Sequence, residues 1–460
     1  MPPHAKLYIL FSLCIGASYL KKMQKLLEKE IRQIKESTGP RISGRVTHVI
    51  GLLIESSGPD SSVGEICYIY GKHPEPIPCQ VVGFKDRKVV LMSLSENTHI
   101  APGSEVFPTG YVHRVAVSES LCGRILDGLG RPIDGKGALF AEKLYPVMCP
   151  PPLALSRKPI DSPLETKVKA IDGLCTLGRG QRIGIFSGPG VGKSTLMGMI
   201  ARSAKADINV IALIGERGRE VREFVERELG AEGLSRSVVI VVTSDQSALL
   251  RSKGANVAMA IAEYFRDLGK DVILMMDSIS RYAMALREIG LAIGEPPTTR
   301  GYTPSVFANL PKLLERAGNN EHGSITGIFT ILCDEDEAHD PIPDLMRSLL
   351  DGHIHLCGKI AASYHFPPID ILKSLSRVMP HITLSKHQEA AGRLRSLLHT
   401  YTTAEELINL GAYTAGSNPQ VDEAIAKIEQ IRHFLKQEAS TAVDFEDSLK
   451  QLEVLGLGVE

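Results

Sequence analysis

The sequence predicts an α/β protein with three parts: a small N-terminal β-barrel, a central parallel sheet with helices on both faces, and a C-terminal helical domain. Three observations lead to this prediction. Short β-branched strands follow one another early in the chain, apolar strands alternate with amphipathic helices in the middle, and strands stop after Pro380. We therefore expect an N-terminal segment over residues 1–40, a barrel over 41–118, a sheet domain over 119–380 and a helical domain over 381–460. The chain has 460 residues, which is enough for two or three domains.

Composition argues against several classes of protein. The chain has 52 basic and 53 acidic residues, so its net charge of −1 does not favour a nucleic-acid binder. A neutral total is still compatible with a local basic groove. Trp is absent and aromatic residues make up 5%, which leaves few side chains on which bases could stack. The eight cysteines form no CxxC pair, which suits a reducing compartment better than a disulfide framework.

The N-terminal segment contains two possible starts. Leu7–Leu20 is apolar and flanked by lysines, like the core of an export signal, and it is too short for an ordinary membrane span. Met23 opens a charged stretch in which Leu27, Ile31 and Ile34 recur at helical spacing. Our hypothesis is that translation begins at Met23, with an export signal in residues 1–22 as the alternative. We expect a chain that begins at Met23 to be at least as soluble and as active.

Short strands separated by turn residues occupy residues 41–118. The strand-like segments are GRVTHVIGLLIES, GEICYIY, PCQVVGF, KVVLMSL, EVFPTG and HRVAV. None shows a helical period, so they predict a small closed barrel. A glycine-rich crossing, RILDGLGRPIDGKGAL, and a proline-rich connector, YPVMCPPPLALSRKPI, then lead to the sheet domain.

Continuous apolar strands dominate the middle of the chain. They read RIGIF, INVIALI, VVIVVT, VILMMD and GSITGIFTIL, with helical stretches such as EVREFVERELG between them. Strands that are apolar throughout are typical of a parallel sheet covered on both faces. After Pro380, HQEAAGRLRSLLHTYTTAEELINLG and PQVDEAIAKIEQIRHFLKQEAS predict helices only.

A glycine-rich loop lies between the strand RIGIF and a helix. Its residues are Gly188, Pro189, Gly190, Val191, Gly192, Lys193, Ser194 and Thr195. Glycine permits positive φ and close backbone approach, so amide groups at the helix N-terminus can bind phosphate. In the pattern GxxxxGK[ST], Lys193 would bind the β- and γ-phosphates of ATP and Ser194 would bind Mg²⁺, although Ser187 stands where the pattern has glycine. A strand–helix turn without a ligand is the alternative.

Two carboxylates follow apolar strands and would emerge at the same edge of the sheet. Asp277 ends VILMMD, and Glu216 follows INVIALI. Ligands bind outside the carboxyl ends of parallel strands. Asp277 would hold Mg²⁺, and Glu216 would polarise the water that attacks the γ-phosphate. Arg217 could bind the negatively charged phosphates, whereas Arg219 and Glu220 are expected to form the solvated start of a helix.

Three longer segments carry a resemblance. GERGREVREF, MMDSISRYAMALREIGLAIGEPPTTRGYTPSVFANLPKLLERAG and FPPIDILKSLSRVMP resemble the ATPases of type III protein export, homohexameric relatives of the rotary ATP synthase catalytic subunit with a RecA-type P-loop sheet. The resemblance runs from about Gly44 to about Gln437. REIGLAIGEPPTTRGYTPSVFA and VVGFKDRKVVLMSL resemble the flagellar branch more than the injectisome branch.

The resemblance implies roles for individual residues. Glu216 is similar in position to the catalytic base of the family, and Arg217 and Arg281 to residues that contact phosphate. Phe366 stands where an aromatic ring stacks on adenine, and Arg377 where an arginine finger reaches the neighbouring subunit's nucleotide. Without the resemblance, Phe366 would be read as a core residue and Arg377 as half of a surface ion pair.

The resemblance also implies partners and a location. It implies a cytoplasmic homohexamer, peripheral at the inner face of the cytoplasmic membrane, that uses ATP and Mg²⁺. The implied partners are stalk and regulator proteins, export chaperones and substrates, and the membrane export gate, with no nucleic acid expected. CDEDEAHDPIPD and DGHIHLCGKIA depart from the family's GDDMNEPI and DGHIVLSRKLA. The acidic run 334–340 is interpreted as a solvated loop, since it lacks the pattern of a calcium loop, and His353 and His355 as ordinary strand residues.

Three other functions fit the sequence less well. A rotary ATP synthase catalytic subunit needs a distinct partner chain, whereas this chain carries both the phosphate loop and Arg377. A hexameric RNA-translocating ATPase would need a basic barrel with aromatic residues, which GEICYIYGKHPEPIP does not supply. A non-enzymatic subunit is disfavoured because Lys193 and Glu216 are both present.

Overall fold

The computed structural model describes residues 43–71, 75–95, 100–333 and 340–458. The N-terminal segment 1–40, with its two possible starts, lies outside the described residues, and so do residues 334–339 of the acidic run.

Six antiparallel strands close a barrel in the order β1-β2-β5-β4-β3-β6, as the sequence predicts. They are β1 (Gly44–Ile50), β2 (Leu53–Ser56), β3 (Glu65–Tyr70), β4 (Ile77–Lys85), β5 (Lys88–Ser93) and β6 (Glu105–Val112). Alternate residues face the interior, where Ile54, Ile69 and Leu91 are fully buried. GRVTHVIGLLIES forms two strands rather than one, because the chain reverses at Gly51, whose φ is 58°.

The prediction that HRVAV belongs to the barrel is wrong. This segment forms a strand that pairs with a later one in a separate two-stranded sheet, because Val115 and Val117 pack into the core of the sheet domain. The glycine-rich crossing also contributes a strand, which extends the edge of the central sheet. The connecting strands are β7 (Arg114–Val117), β8 (Ile125–Leu126), β9 (Lys143–Pro146), β10 (Pro163–Leu164) and β11 (Leu177–Gly178).

The central sheet has eight strands in the order β18-β17-β12-β16-β15-β13-β14-β8. Its later strands are β12 (Arg182–Ser187), β13 (Ile208–Glu216), β14 (Ser237–Thr243), β15 (Asp271–Asp277), β16 (Ser324–Leu332), β17 (Gly352–Leu356) and β18 (Leu375–Ser376). Neighbouring strands run parallel except β17 and β18, which are antiparallel. The sheet is therefore mixed, with one antiparallel strand added to the parallel set that the sequence predicts.

Helices cover both faces of this sheet. The α-helices are α1 (Lys169–Leu174), α2 (Lys193–Ser203), α3 (Gly218–Glu223), α4 (Gly230–Ser235), α5 (Ala248–Asp267), α6 (Ile279–Ala292), α7 (Pro304–Leu314), α8 (Pro341–Leu349) and α9 (Gly358–Ala362). The segment Phe224–Leu229 is a π-helix, and Glu119–Leu121, Ala154–Ser156 and Thr299–Gly301 are 3₁₀-helices. In β13, Val210 and Ala212 pack in the core with α5, while Ile211 and Leu213 pack in the core with α2.

The C-terminal domain is helical, as predicted, and packs on the core that contains α2. Its helices are α10 (Met379–Ile382), α11 (Ser385–Asn409), α12 (Pro419–Leu435) and α13 (Phe445–Leu457). Leu394, Phe434 and Leu452 bury their side chains in this core. Among the residues described, no helix is both long and apolar enough to cross a membrane.

Candidate active site

The glycine-rich loop, residues 188–192, joins the end of β12 to the start of α2 and is called the phosphate loop from here on. The loop has three glycines, Gly188, Gly190 and Gly192. The backbone is left-handed at two of them, Gly190 (φ 72°) and Gly192 (φ 105°). Gly192 caps α2, an eleven-residue helix that begins at Lys193. The N-terminus of such a helix carries free amide groups and a partial positive charge, so it favours an anion.

Lys193 and Asp277 meet at the carboxyl edge of the sheet. The Lys193 Nζ lies 2.5 Å from Asp277 Oδ1, and Thr330 Oγ1 on the adjacent strand donates to the same oxygen at 2.8 Å. Asp277 is buried, and β15 ends there. The lysine therefore reaches from the phosphate loop to a carboxylate that a neighbouring strand holds in place.

A β-bulge directs Glu216 into the same place. The pairing of β13 with β14 is irregular between Ile214 and Glu216, and Gly215 between them has a φ of 74°. Bulges re-aim the side chain that follows them. As a result, Glu216 Oε1 lies 3.7 Å from Lys193 Nζ, and it is buried without a hydrogen-bond partner.

The surroundings change the pKa values of two of these groups. Burial, together with the nearby carboxylate of Asp277, raises the pKa of Glu216 to about 7. Burial alone would lower the pKa of Lys193, but the carboxylates of Asp277 and Glu216 raise it above its ordinary value. Near neutral pH, Lys193 is thus positively charged, and Glu216 is poised between its acid and base forms.

Two arginines and a further carboxylate border the cleft. Arg281 lies in the first turn of α6, and its Nε is buried without a hydrogen-bond partner. Arg217 is 74% exposed and pairs with Glu220 at 3.5 Å. Glu220 and Arg219 lie in the first turn of α3, and Arg219 is exposed while the Glu220 side chain is 40% exposed, as expected for the solvated start of a helix. Glu220 also borders the cleft. Glu220 reaches the cleft because α3 starts two residues after Glu216.

Two adjoining clefts share the phosphate loop. The first, of about 350 Å³, contains Lys193, Ser194, Glu216, Asp277 and Arg281. The second, of about 580 Å³, is bordered by Phe366 and residues of the C-terminal domain. Gly192 and Thr195 line both clefts, so together they form one continuous site.

Phe366 lies on the surface of the second cleft. Its side chain is 45% exposed, so it is not a core residue. Its carbonyl accepts a hydrogen bond from the Gln437 amide at 2.9 Å, which fixes the segment to the C-terminal domain.

Arg377 lies at the opposite end of the sheet from the phosphate loop of its own chain. It follows β18, and its amide donates to the Asp351 carbonyl at 3.0 Å. The Asp351 carboxylate in turn binds Arg182, the first residue of β12. The phosphate loop follows the last residue of β12, a strand of about 20 Å. Arg377 therefore does not reach the site of its own chain.

The oxygen ligands in the first cleft fit a magnesium ion. Ser194 is exposed to the cleft, and Asp277 borders it. Hydroxyl and carboxylate oxygens are ligands that Mg²⁺ accepts, with phosphates and water completing its shell. In the described part of the chain, this cleft included, no group of three or more His, Cys, Asp or Glu side chains could hold a metal by itself, so phosphate oxygens are needed here.

Sequence reasoning missed three residues of this region: Thr330, Glu228 and Tyr364. Thr330 is one of three buried polar residues in β16, with Ser324 and Thr326, so the strand's sequence does not single it out. Glu228 accepts a hydrogen bond from Thr195 Oγ1 at 2.9 Å, and no local signal in the sequence indicates this contact. Tyr364 borders the second cleft, and no local signal in the sequence indicates this position.

Three regions of the chain match models of known families. Residues 46–110 match the β-barrel domain of the ATP synthase alpha/beta family, and residues 167–376 match its nucleotide-binding domain. Residues 383–454 match the T3SS EscN ATPase C-terminal domain.

Curated relatives and solved structures resemble the chain over most of its length. It is 54% identical to the flagellum-specific ATP synthase of Bacillus subtilis, over 89% of this chain and 94% of that protein. It is 48% identical to the type 3 secretion system ATPase of Xanthomonas euvesicatoria, over 94% and 97%. The assembled ATPase EscN of the enteropathogenic E. coli type III secretion system is 44% identical, with a TM-score of 0.85 over 90% of this chain and 99% of that one.

Proposed function

Because the chain belongs to the type III export ATPases of the ATP synthase alpha/beta family, we propose that it hydrolyses ATP with Mg²⁺, as a homohexamer, to energise protein export of the flagellar type. The observation that carries the proposal is the convergence of Lys193, Asp277 and Glu216 at the end of the phosphate loop.

Each group in the cleft has a chemical task. Lys193 turns from Asp277 to the β- and γ-phosphates, where its charge is needed. Ser194 and Asp277 would hold Mg²⁺, which neutralises charge on the phosphates when it is bound.

Glu216 acts as the general base. Its Oε1 has no hydrogen-bond partner, so it can accept a proton from a water molecule. The oxygen of that water bonds to the γ-phosphorus, the bond from this phosphorus to the β-phosphate oxygen breaks, and the water proton passes to Glu216. Arg281 and Arg217 border the same cleft and would bind the phosphate oxygens.

The adenine would occupy the second cleft. Phe366 exposes part of its ring there. The face of an aromatic ring can stack on the face of any nucleotide base, adenine included. Gly188, Pro189, Gly190, Val191, Gly192 and Thr195 would surround the phosphates between the two clefts.

Arg377 would complete the site of a neighbouring copy. It is exposed at the far end of the sheet, where its Nη2 touches only the Arg347 carbonyl at 3.2 Å among the contacts described for its side chain. An arginine that cannot reach its own nucleotide can serve as a finger in trans. A closed ring of identical chains gives every site such a finger, as the proposed homohexamer would.

The names of the relatives support a role in protein export. The B. subtilis relative is named for the flagellum, and EscN has been solved in complex with its central stalk EscO. We propose that this chain works in the cytoplasm, peripheral at the inner membrane face, with a stalk, regulators and the export gate. Hydrolysis would release substrates from export chaperones.

Two substitutions test the site. Lys193→Ala should remove tight ATP binding, because the phosphates lose their charged partner. Glu216→Gln should keep ATP binding but lower kcat by about 10²–10⁴-fold, since only the base is lost. Lys205→Ala and Glu226→Gln change exposed residues outside the cleft and serve as controls. Parent-like turnover of Glu216→Gln would disprove the assignment of the base.

A further inference from the structure

We propose that Tyr364 is a second base-binding residue, which holds the adenine together with Phe366; this inference rests on the ATPase function proposed above. Tyr364 borders the second cleft and is 86% exposed. Of the three segments that carry the family resemblance, the nearest, FPPIDILKSLSRVMP, begins at Phe366, so none of them assigns a role to Tyr364.

The backbone of Tyr364 is unusual for its residue type. Its φ is 56°, in the left-handed region that Gly and Asn adopt readily and bulky residues rarely adopt. The turn after α9 enforces this conformation, since the Tyr364 amide donates to the Ala361 carbonyl at 3.0 Å. A tyrosine here costs folding free energy and gains no burial in return. Such local strain is typical of positions that bind a ligand.

The rings of Tyr364 and Phe366 are neighbours and lie perpendicular to each other. His365 between them is buried, so residues 364 and 366 both direct their side chains away from the core. The ring centroids of Tyr364 and Phe366 are 6.2 Å apart, and the ring planes meet at 86°. Two perpendicular rings form a corner, in which a planar base can stack on one face and touch the other ring.

The position of this corner favours a nucleotide base as its occupant. Gly192 of the phosphate loop borders the same cleft, and a Cβ added to it would lie 3.7 Å from the Pro368 ring. A nucleotide with its phosphates at Lys193 therefore extends directly towards the two rings. The second cleft, of about 580 Å³, has room for a base and a ribose.

Two variants separate a base-binding role from a structural one. Tyr364→Asn removes the ring and suits a left-handed backbone, whereas Tyr364→Phe keeps both the ring and the strain. We expect Tyr364→Asn to bind a ribose-labelled fluorescent ATP about three- to tenfold more weakly than the parent protein. Its thermal midpoint should be equal or higher, because the strain is relieved. Tyr364→Phe should match the parent in both measurements.

Competition with inorganic tripolyphosphate, which has no base, provides the control. It should displace the labelled nucleotide in proportion to its own affinity, and that affinity should be the same in all three proteins. Three results would overturn the inference: parent affinity for ATP in Tyr364→Asn, an equal loss of affinity for tripolyphosphate, or a changed mass in solution, which would place the ring in a subunit interface. If the parent bound neither ATP nor tripolyphosphate, the proposed function itself would fail.

Discussion

Gly215 is the residue whose replacement should most clearly separate catalysis from nucleotide binding. Its φ of 74° is unfavourable for alanine, at a cost of about 1–2 kcal/mol. A Cβ at this position would lie 3.0 Å from Arg281 Cβ and 3.2 Å from Arg281 Cγ, both tighter than ordinary contacts. Gly215→Ala should therefore lower the free energy of unfolding by roughly 1–3 kcal/mol.

The larger effect should be on turnover. The chain can relieve the strain by flattening the bulge or by moving Arg281, and either change displaces a group that faces the phosphates. A displacement of about 1 Å in such a site costs about 10²-fold in rate. We expect Gly215→Ala to lower kcat by about that factor while ATP affinity falls by a smaller factor, since a displaced Arg281 weakens one phosphate contact and the phosphate loop keeps its own.

Phosphate release at saturating ATP and titration with a fluorescent nucleotide measure the two effects. Gly218→Ala is the matched control, because a Cβ there meets nothing within 4 Å and the glycine is three residues further along the chain. If Gly215→Ala turned over as fast as Gly218→Ala, the bulge would not position Glu216.

Three further predictions concern the base, the adenine and the core. Because burial and Asp277 raise the pKa of Glu216 to about 7, kcat/KM for ATP should fall as the pH drops below about 7; a flat profile from pH 5 to 8 would exclude Glu216 as the base. Phe366→Ala should weaken ATP binding by about a decade or more, since stacking contributes roughly 1–3 kcal/mol, and unchanged affinity in a nucleotide titration would remove Phe366 from the site. Arg316→Met should lower the free energy of unfolding, measured by urea denaturation, by about 3–5 kcal/mol, because the buried Glu263 carboxylate loses its ion pair with Arg316. Arg222→Met, which breaks an exposed pair, should cost less than about 1 kcal/mol, and similar costs for both variants would contradict the account.

The sequence predicts the strand, glycine-rich loop and helix around Lys193 well, because the signals for them are local. Glycine spacing, a strand before and a helix after are all visible within twenty residues around Lys193. Glu216 and Asp277 are also predictable, since both follow apolar strands, and the ends of parallel strands lie at one edge.

Features that depend on distant contacts are harder to predict. HRVAV looks like a sixth barrel strand, and only the contacts of Val115 and Val117 with the sheet core show that it leaves the barrel. The hydrogen bond between Thr330 and Asp277 joins residues more than fifty positions apart. The left-handed backbone of Tyr364 depends on the turn after α9, and tyrosine itself gives no sign of it.

The central claim is that the ATPase site is shared between copies of this chain. Its most direct test is the specific ATPase activity of the unmutated protein across a range of concentrations, with the mass in solution measured at each one. We predict that activity rises with concentration in step with the assembled ring, because Arg377 cannot reach the phosphate loop of its own chain. A monomer with full activity at every concentration would contradict both the arginine finger and the hexamer.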